Sequence, residues 1–77
     1  MKWEEIFSEG IKTSEGVEIR VSVAENPRAG IVLGVRKWVR RGDTMIPTRD
    51  GAAFPATKET VDTLIEILQK TKEFLPD

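Results

Sequence analysis

The chain has 77 residues, 12 Lys and Arg against 13 Asp and Glu, no histidine and no cysteine. A single small domain with a thin margin of stability is all that this length supports, and residues 1–77 are read as one such unit. Without cysteine there are no disulfides or thiolate–metal sites, and without histidine the commonest metal ligand and general base are both missing.

No apolar run approaches the roughly 20 residues needed to span a bilayer, and the start "MKWEEIFSEG" is too acidic and polar for a secretory leader. An intracellular protein is the expectation, with no cofactor and no membrane association. Oligomerisation is the support left to so small a chain, and a symmetric dimer is the default. The near-neutral total hides an asymmetry. Residues 1–25 hold three basic and six acidic residues, residues 26–51 six and two, and residues 52–77 three and five. A local positive field attracts a polyanion even when the whole molecule is slightly acidic.

Along residues 1–16, Trp3, Ile6 and Phe7 have helical spacing, while Ser8, Gly10, Ser14 and Gly16 are turn-like. The segment is read as a lead-in, a short strand or irregular stretch around residues 4–12. "GVEIRVSVAE" then alternates. Val17, Ile19, Val21 and Val23 point one way and Glu18, Arg20 and Ser22 the other, the period of a half-buried strand rich in β-branched residues. "ENPRAG" is a turn.

"IVLGVRKWVRR" is the second clear strand. Ile31, Leu33, Val35 and Val39 share one face, interrupted by Lys37, which is read as lying near a sheet edge. Val32, Gly34, Arg36, Trp38 and Arg40 share the other. Gly34 within a strand signals a bend, bulge or close backbone approach. "RRGDT" is a turn with Gly42 and Asp43 at its tip. "MIPTR" is a short extended segment that Pro47 makes either an edge strand or an irregular one. "RDG" is a tight turn in which Gly51 supplies a positive φ, and "AAFP" is a last short strand.

A helix of roughly 18 residues, about 27 Å long, closes the chain. Thr57 is its N-cap and Glu59 favours its first turn. Val61, Leu64, Ile65, Leu68 and Leu75 follow the helical repeat, widened by Ile67 and Phe74, and Pro76 stops it. The stripe is wider than one sheet face requires, so its surplus is available to a second copy. The plan is α+β: an antiparallel sheet with one face on the helix and the other in water.

Arg36, Trp38 and Arg40 on one strand face combine positive charge with a flat indole. Stacking on such a platform is worth about 1–3 kcal/mol per base, and guanidiniums pair with phosphates or cap the ring. Single-stranded nucleic acid suits this surface better than duplex DNA, whose base faces are hidden; RNA fits the same chemistry as DNA. Arg20 either extends the patch or is the cross-strand partner of a glutamate. Arg49, on a turn beside Gly51, is a second candidate for a phosphate, against which Asp50 works. The structural alternative is an indole that only covers the sheet beneath arginine stems, with Arg40 and Arg41 keeping a hairpin tip soluble.

The strands "EIRVSVAE" and "GIVLGVRKWV", the turn "RRGDT", then "MIPTRDGAAF" and an amphipathic C-terminal helix resemble the transcriptional coactivator positive cofactor four family over residues 17–75. The most specific pieces are "RKW" and the P-x-R-x-G of "PTRDG". The resemblance implies a curved antiparallel sheet of about four strands, a helix through which two copies dimerise, and binding of single-stranded DNA with little sequence preference. Carried over by position, it points to Trp38, Arg36, Arg49 and the neighbourhood of Gly51, with Arg20 and Arg40 beside them, and to Val61, Leu64, Ile65, Leu68 and Leu75 in the dimer. Partners in transcription, replication or repair follow from it, and an activity depending on an added regulatory tail does not. Three features depart from the family: Asp50 where lysine is common, a proline ahead of the helix cap, and a lead-in without a counterpart. Two other functions compete. One is a protein-interaction module that meets an acidic partner through the basic patch. The other is catalysis with Asp43 and Asp50 around a magnesium ion, which composition disfavours because carboxylates, lysines and hydroxyls would have to do all the chemistry.

Overall fold

A computed structural model describes residues 4–77; Met1 to Trp3, the start of the lead-in, lie outside the described residues. Four strands form one antiparallel sheet in chain order: β1 (Glu4–Ser14), β2 (Val17–Asn26), β3 (Gly30–Arg41) and β4 (Thr44–Pro55). A helix, α1 (Lys58–Thr71), and a single 3₁₀ turn (Lys72–Phe74) follow. Each hairpin is closed at a glycine with positive φ, namely Gly16, Gly30 and Gly42, a region that costs glycine nothing. In the β2–β3 turn the Asn26 side-chain carbonyl accepts from the amides of Arg28 (2.8 Å) and Ala29 (3.1 Å), so the turn closes on itself before Gly30 restarts the sheet.

The four strands are partitioned differently from the sequence reading. The lead-in is a full 11-residue strand, because Phe7, Glu9 and Ile11 face the same side as Val23, Val21 and Ile19 across the ladder. "MIPTR" and "AAFP" are one strand, and the intervening "RDG" is no turn. The ladder pairs Trp38 with Pro47 and Arg36 with Gly51, so Thr48, Arg49 and Asp50 oppose the lone residue Lys37 as an enlarged bulge. Lys37 therefore lies on an interior strand, at the bulge, and not at a sheet edge. Its ammonium is 3.8 Å from the Asp50 carboxylate. β4 itself is an edge strand, where the missing N–H of Pro47 disrupts nothing.

Gly51 has no positive φ. It is needed for space: a Cβ there would lie 2.6 Å from the Val35 carbonyl oxygen and 2.9 Å from Arg36 Cα.

Thr57 caps the helix as expected, its hydroxyl accepting from the Thr60 amide at 3.2 Å. The helix is shorter than expected, 14 residues. The Thr71 hydroxyl donates to the Leu68 carbonyl at 2.6 Å, and the Lys72 amide turns back to Gln69, which tightens the chain into the 3₁₀ turn. Leu75 precedes a proline, is extended (φ −109°, ψ 150°), and lies beyond the helix.

The helix does not lie on the sheet. No helix Cα comes within 8 Å of a strand Cα; its first two turns alone approach the sheet, where Val61 and Asp62 line a groove of about 330 Å³ with Val23, Ile31 and Leu33. The expected packing of one sheet face on the helix is thus confined to one end. Val32 and Leu33 are the only buried apolar residues among those described. The chain exposes 6578 Å², against about 4,700 Å² for a compact protein of this mass. Its radius of gyration is 14.1 Å, against about 11.5 Å for a compact chain of this length. Gly51→Ala should force β3 and β4 apart at the bulge and lower stability by about 1–3 kcal/mol, read from urea denaturation at fixed protein concentration.

Candidate nucleic-acid interface

The face of the sheet turned away from Leu33 and Val35 is dished into a trough of about 660 Å³ to which all four strands contribute. Antiparallel register arranges its lining in rows. Ser8, Ser22, Gly34 and Ala53 form one row, all small. Gly10, Arg20, Arg36 and Gly51 form the next, and Lys12, Glu18, Trp38 and Pro47 the third. The small row makes a floor, and the arginines and the indole rise beside it. Glu5, opposite Ala24, lies at the other end, so the trough has an acidic end and a basic, aromatic end.

Arg20, Arg36 and Trp38 are brought together here, as the strand alternation requires. The cation that caps the indole is not one of the two on its own strand. The Arg20 guanidinium lies over the ring, 4.1 Å from its centroid. Residues two apart on a strand rise in parallel, whereas a diagonal neighbour on the adjacent strand is within reach of a long side chain. Arg20 also gives its Nε–H to Glu18, so it lies in the patch and pairs with a glutamate, but one on its own strand and not across the sheet.

Arg36 is held from the other side. One of its Nη groups donates to the Thr48 carbonyl at 2.9 Å, and the Thr48 hydroxyl donates to the Lys37 carbonyl at 2.9 Å while accepting from the Asp50 amide at 3.1 Å. The bulge of β4 is thereby a bracket for Arg36, and Gly51 opposite it leaves the guanidinium stem uncrowded.

Two expected residues stand apart. Arg40 shares the face of Trp38 but is exposed near the β3–β4 hairpin, opposite Met45 and outside the trough lining. Arg49 is exposed on the bulge, with no polar partner among the described residues. Asp43 sits at the hairpin tip, and Asp50 faces Lys37. No group of three acidic side chains among the described residues could hold a metal ion, and no helix is long and apolar enough to cross a membrane.

The sequence reading missed Ser8, Ser22, Ala53 and Pro47 as lining and Glu18 as a tether. Small residues recurring on the polar side of successive strands were the available signal.

No family model and no curated protein matches the sequence. A solved structure does: the bacteriophage T5 homolog of the eukaryotic transcription coactivator PC4, a protein implicated in recombination-dependent DNA replication. The two are 30% identical over 88% of this chain and 81% of that one, with a TM-score of 0.62. The chain belongs to the PC4-like family. Coverage of 88% leaves about nine residues unmatched, fewer than the 16 of the lead-in, so part of β1 has a counterpart in the PC4-like fold after all.

The bulge is testable without a ligand. Thr48→Val keeps the side-chain volume but removes both hydroxyl bonds, and should lower stability by about 1–2 kcal/mol. Amide exchange of Asp50 should quicken more than that of β2 residues.

Proposed function

We propose that this chain is a single-stranded-DNA-binding protein that acts as a homodimer, without catalysis, as an accessory factor of DNA transactions such as transcription, replication or repair. The observation that carries the reading is the convergence of Arg20, Arg36 and Trp38 on a floor of small residues in an open trough. The floor gives a sugar–phosphate chain or a base room to approach the sheet, the guanidiniums supply charge-assisted donors, and the Trp38–Arg20 stack supplies a flat surface. Arg40 and Arg49, at the margins, lengthen the positive track. Charge and stacking carry the binding, so sequence preference is small. Membership of the PC4-like family and the DNA-replication role of the T5 homolog support the same reading.

The opposite face supports the dimer. Phe7, Ile11 and Ile31 of the sheet and Ile65, Ile67, Leu68, Phe74 and Leu75 of the C-terminal segment are each about half exposed or more. The surface in excess of a compact chain is roughly 1,800 Å², the amount that one subunit contributes to an obligate dimer. Val61, beside the chain's own sheet, and half-buried Leu64 form the base of that interface, and Ile65, Leu68 and Leu75 its outer part.

Titration with oligo-thymidine should quench tryptophan fluorescence, with affinity falling steeply between low and moderate salt. Arg36→Ala combined with Trp38→Ala should remove most of the affinity, by about 100-fold if one charge-assisted bond and one stack are lost. Unchanged affinity in that folded variant contradicts the assigned surface, and equal affinity for duplex contradicts the single-strand preference. Leu68→Glu should convert the dimer to a monomer in sedimentation and lower its stability; a monomeric parent protein overturns the dimer.

A further inference from the structure

Glu18 is a carboxylate in the most basic part of a surface read as binding phosphates, and simple electrostatics makes it a liability there. It stands directly opposite Trp38 in the β2–β3 register, two residues from Arg20 on the same face. Its side chain and that of Arg20 are 26% and 30% exposed, and its Oε1 accepts the Arg20 Nε–H. The sheet makes room for this pair. On β1, opposite Arg20, stands Gly10, where a Cβ would collide with the Glu18 carboxylate and lie 3.1 Å from Arg20 Cγ.

The guanidinium is thereby fixed on two sides. Its Nε edge is taken by Glu18, and its Cζ lies over the indole, 4.1 Å from the ring centroid. What remains is the Nη edge and the side of the group turned away from the ring. Arginine's donors are arranged as a rigid fork, so fixing Nε and the plane fixes where the Nη groups point.

Resting on the function proposed above, we infer that Glu18 is a positioning residue for nucleic-acid binding. It holds Arg20 over Trp38, so that the Nη groups meet a phosphate while the outer face of the guanidinium receives a base. The carboxylate's contribution through orientation outweighs the repulsion of its charge. Gly10 is part of the same device, as the space in which the carboxylate sits.

The test uses the full chain carrying Trp3→Phe, so that Trp38 is the only fluorophore, titrated with oligo-thymidine at low salt. Glu18→Ala and Glu18→Gln remove the same charge, but only Gln keeps an oxygen that can accept from Nε. Glu18→Gln should bind within about twofold of the parent, and Glu18→Ala about five- to tenfold more weakly, the net loss expected for one typical hydrogen bond. Gly10→Ala changes no charge and should weaken binding by a similar factor. Without DNA, the Trp38 emission should shift in Glu18→Ala and Gly10→Ala and stay in place in Glu18→Gln. Equal affinities for the two Glu18 variants, or parental affinity in Gly10→Ala, overturn the positioning role and leave the proposed function standing. Failure of the parent chain to bind oligo-thymidine overturns both.

Discussion

The two-residue alternation of β2 and β3 is the constraint on which the rest of the molecule depends. It divides one sheet into a face of Val, Ile and Leu and a face of Ser, Gly, Arg and Trp. In most small α+β proteins the chain's own helix would cover the apolar face. Here the helix leaves the sheet after its first turns, so neither face is closed by the chain itself. Among the described residues Val32 and Leu33 are the buried apolar ones, and they face opposite sides of the sheet. The surface–mass relation measures the consequence: the excess exposed area is of the size that a permanent partner removes.

Register is the second constraint, and the β4 bulge sets it. With two residues more on β4 than on β3 between the paired positions, Pro47 still meets Trp38 and Gly51 still meets Arg36. The bulge also turns the Thr48 carbonyl toward Arg36 and carries Asp50 to Lys37. A short irregularity thus orients a guanidinium on one side of the sheet and balances the lysine that interrupts the apolar row on the other. Bulges in edge strands commonly re-aim side chains in this way.

Much of this was legible in the sequence. Alternation placed Arg20, Arg36 and Trp38 on one face, Thr57 marked the helix start, and the PC4-like resemblance named the family. What was not legible depended on pairing. β1 has no strong alternation of its own, and its strand character comes from lying against β2. "RDG" has the composition of a turn, and only the ladder to β3 shows it to be a bulge. Gly51 was given the wrong reason, a special φ, because close approach to the Val35 carbonyl is a tertiary fact. The cap on Trp38 was assigned to its own strand because one-dimensional spacing does not contain the diagonal neighbour. The helix ended early through the Thr71 hydroxyl bond to Leu68, a local competition that apolar periodicity does not register.

Arg20 and Arg36 are directly opposed on neighbouring strands. Like charges in that position destabilise a sheet, and an opposite pair would stabilise it by up to about 1 kcal/mol. The sheet keeps the unfavourable pair and restrains each member separately, Arg20 through Nε to Glu18 and Arg36 through one Nη to the Thr48 carbonyl. Each tether uses a single donor, so the remaining N–H groups of both guanidiniums are left for something else. Ser at either position would relieve the repulsion, at the cost of the Trp38 contact or of the bond to Thr48. An anion reaching both forks would turn the repulsion into attraction. The glycines at the two ends of the same row leave space for the Glu18 carboxylate and for the β3 backbone. The row Gly10–Arg20–Arg36–Gly51 thus suits the nucleic-acid surface proposed above, and the strands on either side hold it in register.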